Sequence, residues 1–158
     1  MPIYNLPYYT TDKGETKLSP EALRITGAKL VVEIFLPEIL ASLYTQRGIT
    51  LPAPITGKAL IDTGASMSAV DVKIINEHFK LPTMGITDVL TPAGVKEKRN
   101  IYPISLSFPG TNLPKVPLIA TVGCNLEQQN IVALLGRDIL SNFILIYNGP
   151  GAHISLSV

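Results

Sequence analysis

Between Tyr102 and Phe108 the residue types alternate strictly. Tyr102, Ile104, Leu106 and Phe108 fall on one side, Pro103, Ser105 and Ser107 on the other. A period of two puts those sets on opposite faces of an extended chain, so this run predicts a strand with one buried face. It forms the return arm of a hairpin over 87–108, with Thr91-Pro92-Ala93-Gly94 as its turn. Further strands are expected at "ITGAKLVVEIFL" (25–36), as a strand, bend and strand over 58–70, at "KVPLIATVGCN", at the apolar run ending at Gly136, and on both sides of "NGPG" near the chain end. Helical spacing is confined to short pieces. "LPEILASLYTQRG" has Pro37 at its start, Gly48 past its end, and Ile39, Leu40, Leu43 and Arg47 at helical intervals. "VKIINEHF" follows a candidate cap, Asp71, and places Ile74, Ile75, His78 and Phe79 on one face. A third piece follows Gly136. Strands outnumber helices without βαβ alternation. The expected fold is all-β, a small closed or nearly closed β-barrel with one or two short helices. Residues 1–24 read as an irregular arm with one short strand, and 25–158 as one domain.

Composition narrows the partners. Of 158 residues, 46% are hydrophobic and 16% charged, more apolar material than a monomer of this size needs, which points to a second buried surface. A formal net charge of +1 favours neither a nucleic acid nor an anionic membrane. One cysteine, Cys124, permits no internal disulfide, and two distant histidines exclude a Cys/His metal cluster. The first residues lack the pattern of a signal peptide, and no apolar run has the length of a membrane span. The expectation is a soluble cytoplasmic protein.

The segment "ALIDTGASMSAVD" (59–71) is the one with a chemical question in it. An aliphatic run ends in a lone carboxylate, Asp62, and the smallest residue types follow before the apolar pattern resumes. A buried strand gains nothing from an acid at its tip. Asp62 is either a turn former or an acid presented to a reactant. About seventy residues later, "ALLGRDIL" repeats the theme of an apolar run, a glycine and a short helix (131–143). Either signal alone is common; the two in this order, with a long hairpin between them, are specific.

On these residues the chain resembles the retropepsin-like aspartic proteases, in particular bacterial single-domain members. The resemblance covers roughly 58–148, and the preceding strand and helix are similar to the N-terminal extension of those members. It implies a retropepsin-type barrel and an aspartic endopeptidase without metal or cofactor. Asp62 would be the catalytic acid and Thr63 would bond across to a partner loop. Gly64 would bring its N–H close to the carboxylates. Ala65 and Ser66 would line the subsite floor, with Ser66 a supporting hydrogen-bonder. Thr91, Pro92, Ala93, Gly94 and Val95 would form the flap over an extended peptide substrate. Leu135 and Gly136 would pass behind the catalytic loop, and Arg137, with Asp138 beside it, would tie the short helix to the core or the partner. Retroviral members carry an acid directly after DTGA; Ser66 and Met67 stand there in this chain.

The chain holds one Asp-Thr-Gly; Asp88 and Asp138 lie in other contexts. It therefore carries half a site, and a homodimer would supply the other half. The last strand, "HISLSV", with Ile154, Leu156 and Val158, is expected to be an edge that helps Thr63 hold that dimer. The other class left open is a catalytically silent peptide-binding or dimerisation module on the same fold. The remaining polar landmarks read as structural: His78 packed in the core, His153 on a strand surface, Cys124 in a strand-to-loop segment, and Lys96, Lys98 and Arg99 on a solvated hairpin face.

Overall fold

The computed structural model describes residues 3–91 and 94–158. Pro92 and Ala93, expected at the flap tip, lie outside them. Among the described residues β-structure dominates. The strands are β1 (Ile3–Pro7), β2 (Tyr9–Asp12), β3 (Glu15–Leu18), β4 (Lys29–Phe35), β5 (Ile55–Ile61), β6 (Ala69–Asp71), β7 (Gly85–Leu90), β8 (Lys96–Ser107), β9 (Val116–Cys124), β10 (Ala133–Leu135), β11 (Ile144–Asn148) and β12 (His153–Ser157). The helices are α1 (Pro20–Thr26), α2 (Glu38–Gln46) and α3 (Arg137–Leu140), with a π-helical segment at Ile74–Phe79. No helix among the described residues is long and apolar enough to cross a membrane.

Six strands pair in a ring, β4-β5-β10-β6-β9-β8 and back to β4, with β7 added outside β8. The pivot is β10. It runs parallel to β5, with Ala133 opposite Ala59 and Leu135 opposite Ile61, and antiparallel to β6, with Ala133 opposite Val70. Ala59, Val70, Ala133 and Leu135 are all buried. Parallel pairing makes β5 and β10 end side by side, so Asp62 and Gly136 emerge next to each other although 74 residues separate them in the chain. Around them Leu30, Val32, Ile34, Ile75, Ile104 and Ile139 belong to one apolar core.

Local chemistry explains where the sequence-based expectations fail. The strand expected from Ile25 begins only at Lys29, because "SPEALRITG" is a capped helix. The Ser19 hydroxyl accepts from the Ala22 N–H at 3.0 Å, Pro20 occupies the first turn, and Gly27 ends the helix at φ 73°. The irregular arm contains three strands rather than one, since β1 pairs with β12 and Lys13-Gly14 turns β2 back onto β3. Strand β12 is the middle of the β1-β12-β11 sheet, so "HISLSV" is no open edge; the chain's own N-terminus covers it. Strand β8 is buried on both faces from Pro103 to Ser107, not on one. Its hydroxyls are satisfied, Ser107 by Glu33 Oε2 at 3.1 Å and Ser105 by the Pro117 carbonyl, which makes burial affordable. In α2 the packed residues are Leu40, Ala41 and Tyr44, while Ile39 and Leu43 face outward.

Asp71 is buried and caps as expected, accepting from the Lys73 N–H at 2.9 Å, and also holds the Leu126 N–H at 2.7 Å. The next turns are π-helical, which separates His78 from the buried Ile74, Ile75 and Phe79. His78 is exposed, with a ring nitrogen 2.7 Å from the Ala53 carbonyl, rather than packed in the core.

Tyr8 fastens the arm to the ring. Its hydroxyl donates to the Lys29 carbonyl at 2.9 Å and accepts from the Lys29 N–H at 2.6 Å. Burial raises its pKa above the ordinary tyrosine value, the hydrogen bond from Lys29 offsetting part of the rise. Below the unfolded value, near 10, both states are neutral and the contribution to stability is complete. As pH rises through the folded value the unfolded chain has already ionised, and that contribution is lost. Tyr8→Phe should cost about 1–2 kcal/mol in urea unfolding at pH 7 and flatten the decline in stability above pH 10. An unchanged urea midpoint would remove Tyr8 from this role.

Candidate active site

Strand β5 delivers Asp62 to the surface of the ring, half-buried, with its N–H donating to the Leu135 carbonyl at 2.9 Å. The chain then bends sharply. One carboxylate oxygen, Oδ1, accepts from the Gly64 N–H at 2.9 Å and the Ala65 N–H at 3.2 Å. Two backbone donors orient the carboxyl. Among the described residues no hydrogen bond reaches Oδ2. A Cβ on Gly64 would lie 3.1 Å from Oδ1, so a side chain there would crowd the carboxylate.

The bend is braced from behind. A Cβ on Gly136 would lie 2.6 Å from the Met67 carbonyl carbon and 2.9 Å from the Ser68 nitrogen, inside any permitted contact. The absence of a side chain at Gly136 therefore lets the end of β10 lie against the bend. The buried Ser68 hydroxyl accepts from the Gly136 N–H at 2.9 Å and donates to Asp138 Oδ1 at 2.7 Å. Asp138 Oδ2 accepts from the Ser68 N–H at 2.8 Å. Arg137 adds a clamp: its N–H donates to the Ala65 carbonyl at 3.0 Å, and its Nη1 donates to the carbonyls of Thr63 and Gly64 at 2.9 and 3.2 Å.

The structure thus joins Asp62, Thr63, Gly64, Ala65, Leu135, Gly136, Arg137 and Asp138 in one hydrogen-bonded unit. Two details differ from expectation. Ser66 is exposed, and the hydroxyl that braces the bend is that of Ser68. No local signal marks Ser68, because residues 68–71 are all buried and its burial follows from the packing of Gly136 across the fold. Arg137 needs no acid after the DTGA, because backbone carbonyls receive it. Thr63 is exposed on the bend. Thr91, Gly94 and Val95 close a turn of their own: Thr91 N–H donates to the Val95 carbonyl at 2.9 Å and Gly94 N–H to the Thr91 carbonyl at 2.8 Å. No hydrogen bond among the described residues links that turn to the Asp62 bend. Cys124 is half-buried, and desolvation pushes its thiol above the ordinary range, away from a reactive thiolate.

No family model matches the chain, and no curated protein matches it. Among solved structures it is similar to a retropepsin-like aspartic protease from Rickettsia conorii, at 15% identity and a TM-score of 0.42, over 82% of this chain and 93% of that one. At that identity and score the likeness gives no residue of this chain a role.

The brace makes two substitutions informative. Gly136→Ala should destabilise the fold by about 1–3 kcal/mol, because its methyl meets backbone rather than a movable side chain. Ser68→Ala should cost about 1–3 kcal/mol by leaving the buried Gly136 N–H unpaired. Unfolding in urea measures both, and wild-type stability in either would show that the bend does not depend on this contact.

Proposed function

We propose that the protein is an aspartic endopeptidase of retropepsin type that works as a homodimer, with one Asp62 from each chain facing a single water. The observation that carries the reading is the state of Asp62. A half-buried carboxyl is oriented by two backbone N–H groups at a braced bend, with its second oxygen free of any protein donor among the described residues. A plain turn former needs neither the second brace behind it nor the clamp from Arg137.

The chemistry follows from two such carboxyls set close together. Like charges at short range do not both ionise, so the pair holds one proton. The ionised member takes a proton from the water as it attacks the peptide carbon, and the protonated member donates to the carbonyl oxygen. The Gly64 N–H groups keep both carboxyls in place. The substrate is an extended peptide, its backbone pairing with exposed strand edges and its side chains in apolar pockets. The hairpin of β7 and β8 is the flap that closes over it. It is long enough for this, with Gly85 opposite Ile101 and Leu90 opposite Lys96. In this reading the ring of pairings is the barrel that each chain contributes.

Asp62→Asn keeps the size of the side chain and its acceptor oxygen but cannot share a proton. Incubation with a diverse peptide library between pH 4 and 7, read by mass spectrometry, should show cleavage by wild type. The variant should show at least a hundredfold loss with the fold and association intact. Cleavage retained by the purified variant would remove Asp62 from catalysis. A wild-type protein that binds peptides without cutting any would favour the silent binding module.

A further inference from the structure

A peptide bond joins one residue's carbonyl to the next residue's N–H in a single rigid plane, the two pointing opposite ways. A donor on the carbonyl and an acceptor on the N–H therefore act on one unit from its two ends. At the Asp62 bend this happens twice. The Gly64 N–H donates to Asp62 Oδ1 at 2.9 Å, and the carbonyl of the same peptide unit, that of Thr63, accepts from Arg137 Nη1 at 2.9 Å. The Ala65 N–H donates to Oδ1 at 3.2 Å, and the carbonyl of its peptide unit, that of Gly64, accepts from the same Nη1 at 3.2 Å. The Ala65 N–H is shared with the Asp62 carbonyl, also at 3.2 Å, so the route through Gly64 is the stronger. One nitrogen of Arg137 and one oxygen of Asp62 thus stand at the two ends of a pair of hydrogen-bonded chains.

We infer that Arg137 is a positioning residue for Asp62, acting through these two peptide units and touching no reactant. A cation on a carbonyl draws charge toward the oxygen and makes the N–H of the same unit a better donor, so the bonds of each chain reinforce one another. Both chains converge on Oδ1, which fixes that oxygen and leaves Oδ2, without a protein donor among the described residues, free for a reactant. Fastening α3 to the bend does not need the side chain. The Arg137 N–H does that by donating to the Ala65 carbonyl at 3.0 Å, a bond open to any residue with a backbone N–H. Nor is the guanidinium occupied elsewhere: among the described residues Arg137 takes part in no ion pair, and its side chain donates only to the Thr63 and Gly64 carbonyls. Arg137 is exposed, so water screens its charge through space and its influence runs through the direct bonds. The hold on the carboxyl follows from the bend alone; its consequence for turnover rests on the protease reading.

Two variants of the full chain test it. Arg137→Gln keeps a side-chain N–H donor and loses the charge; Arg137→Lys keeps the charge. In nuclear magnetic resonance spectra of Arg137→Gln, the amide protons of Gly64 and Ala65 should move upfield as their hydrogen bonds weaken, and the carboxyl carbon of Asp62 should shift with them. Arg137→Lys should restore part of both. On a peptide that wild type cuts, Arg137→Gln should lower kcat about tenfold or more with KM within about twofold, the pattern of an interaction that matters in the transition state. Arg137→Lys should recover part of that loss. Circular dichroism and urea unfolding establish that each variant is folded. A clamp with a merely structural role gives a different result: a lower urea midpoint, with the Asp62 carboxyl resonance unmoved and kcat retained by the folded fraction. That result would overturn the inference. If wild type cuts no peptide, the protease reading fails by itself, and the Asp62, Gly64 and Ala65 resonances decide the role of Arg137.

Discussion

The architecture around Asp62 depends on one close approach, that of the Gly136 backbone to the Met67–Ser68 peptide. A side chain at Gly136 would occupy space already filled by Met67 backbone atoms. Because it is absent, β10 can lie between β5 and β6 and end beside the bend. Everything placed there follows from that contact. The Ser68 hydroxyl is near enough to receive the Gly136 N–H, Asp138 is near enough to hold Ser68, and Arg137 can reach the carbonyls of Thr63 and Gly64. The result is a carboxyl whose position is set by backbone on both sides, the preorganisation that the proposed acid–base chemistry requires.

Burial and exposure divide the chain along the same line. The ring strands near the bend are filled with small and β-branched residues, and Ala59, Val70 and Ala133 have almost no exposed surface. The elements away from it are lightly anchored. The arm is held by β1 on β12 and by Tyr8 on Lys29. The hairpin of β7 and β8 reaches beyond the ring, and Ile86 and Leu90 on β7 are more than half exposed. A buried centre with exposed projections suits the proposed peptide chemistry, in which a fixed acid is covered by a lid.

Much of this was legible in the residues. The 87–108 hairpin, the strand pair either side of Asp62 and the junction at Gly136 announce themselves through alternation and through glycine placement. The failures have particular causes. Helix α1 was hidden because "ITG" continues an apolar β-branched run, although Ser19-Pro20 and Gly27 mark both of its ends. The both-sided burial of β8 was not visible in its serines, whose acceptors, Glu33 and the Pro117 carbonyl, lie on other strands. The π-helical turns moved His78 off the face that ordinary helical spacing assigns to it. The bracing role of Ser68 needed the packing of Gly136, a contact across the fold that local pattern does not report. Nor could pattern show that β1 would cover β12 and so remove the chain end as an open edge.

The central proposal is a site shared between two chains. Mixing tests it most directly. Wild-type chains and differently tagged Asp62→Asn chains are unfolded together in equal amounts, refolded, and compared with the same total amount of wild type. If two Asp62 carboxyls form each site and pairing is random, about a quarter of the wild-type cleavage rate should remain. About half, with mixed dimers confirmed by the tags, would mean that each chain carries out its chemistry alone and would contradict the account.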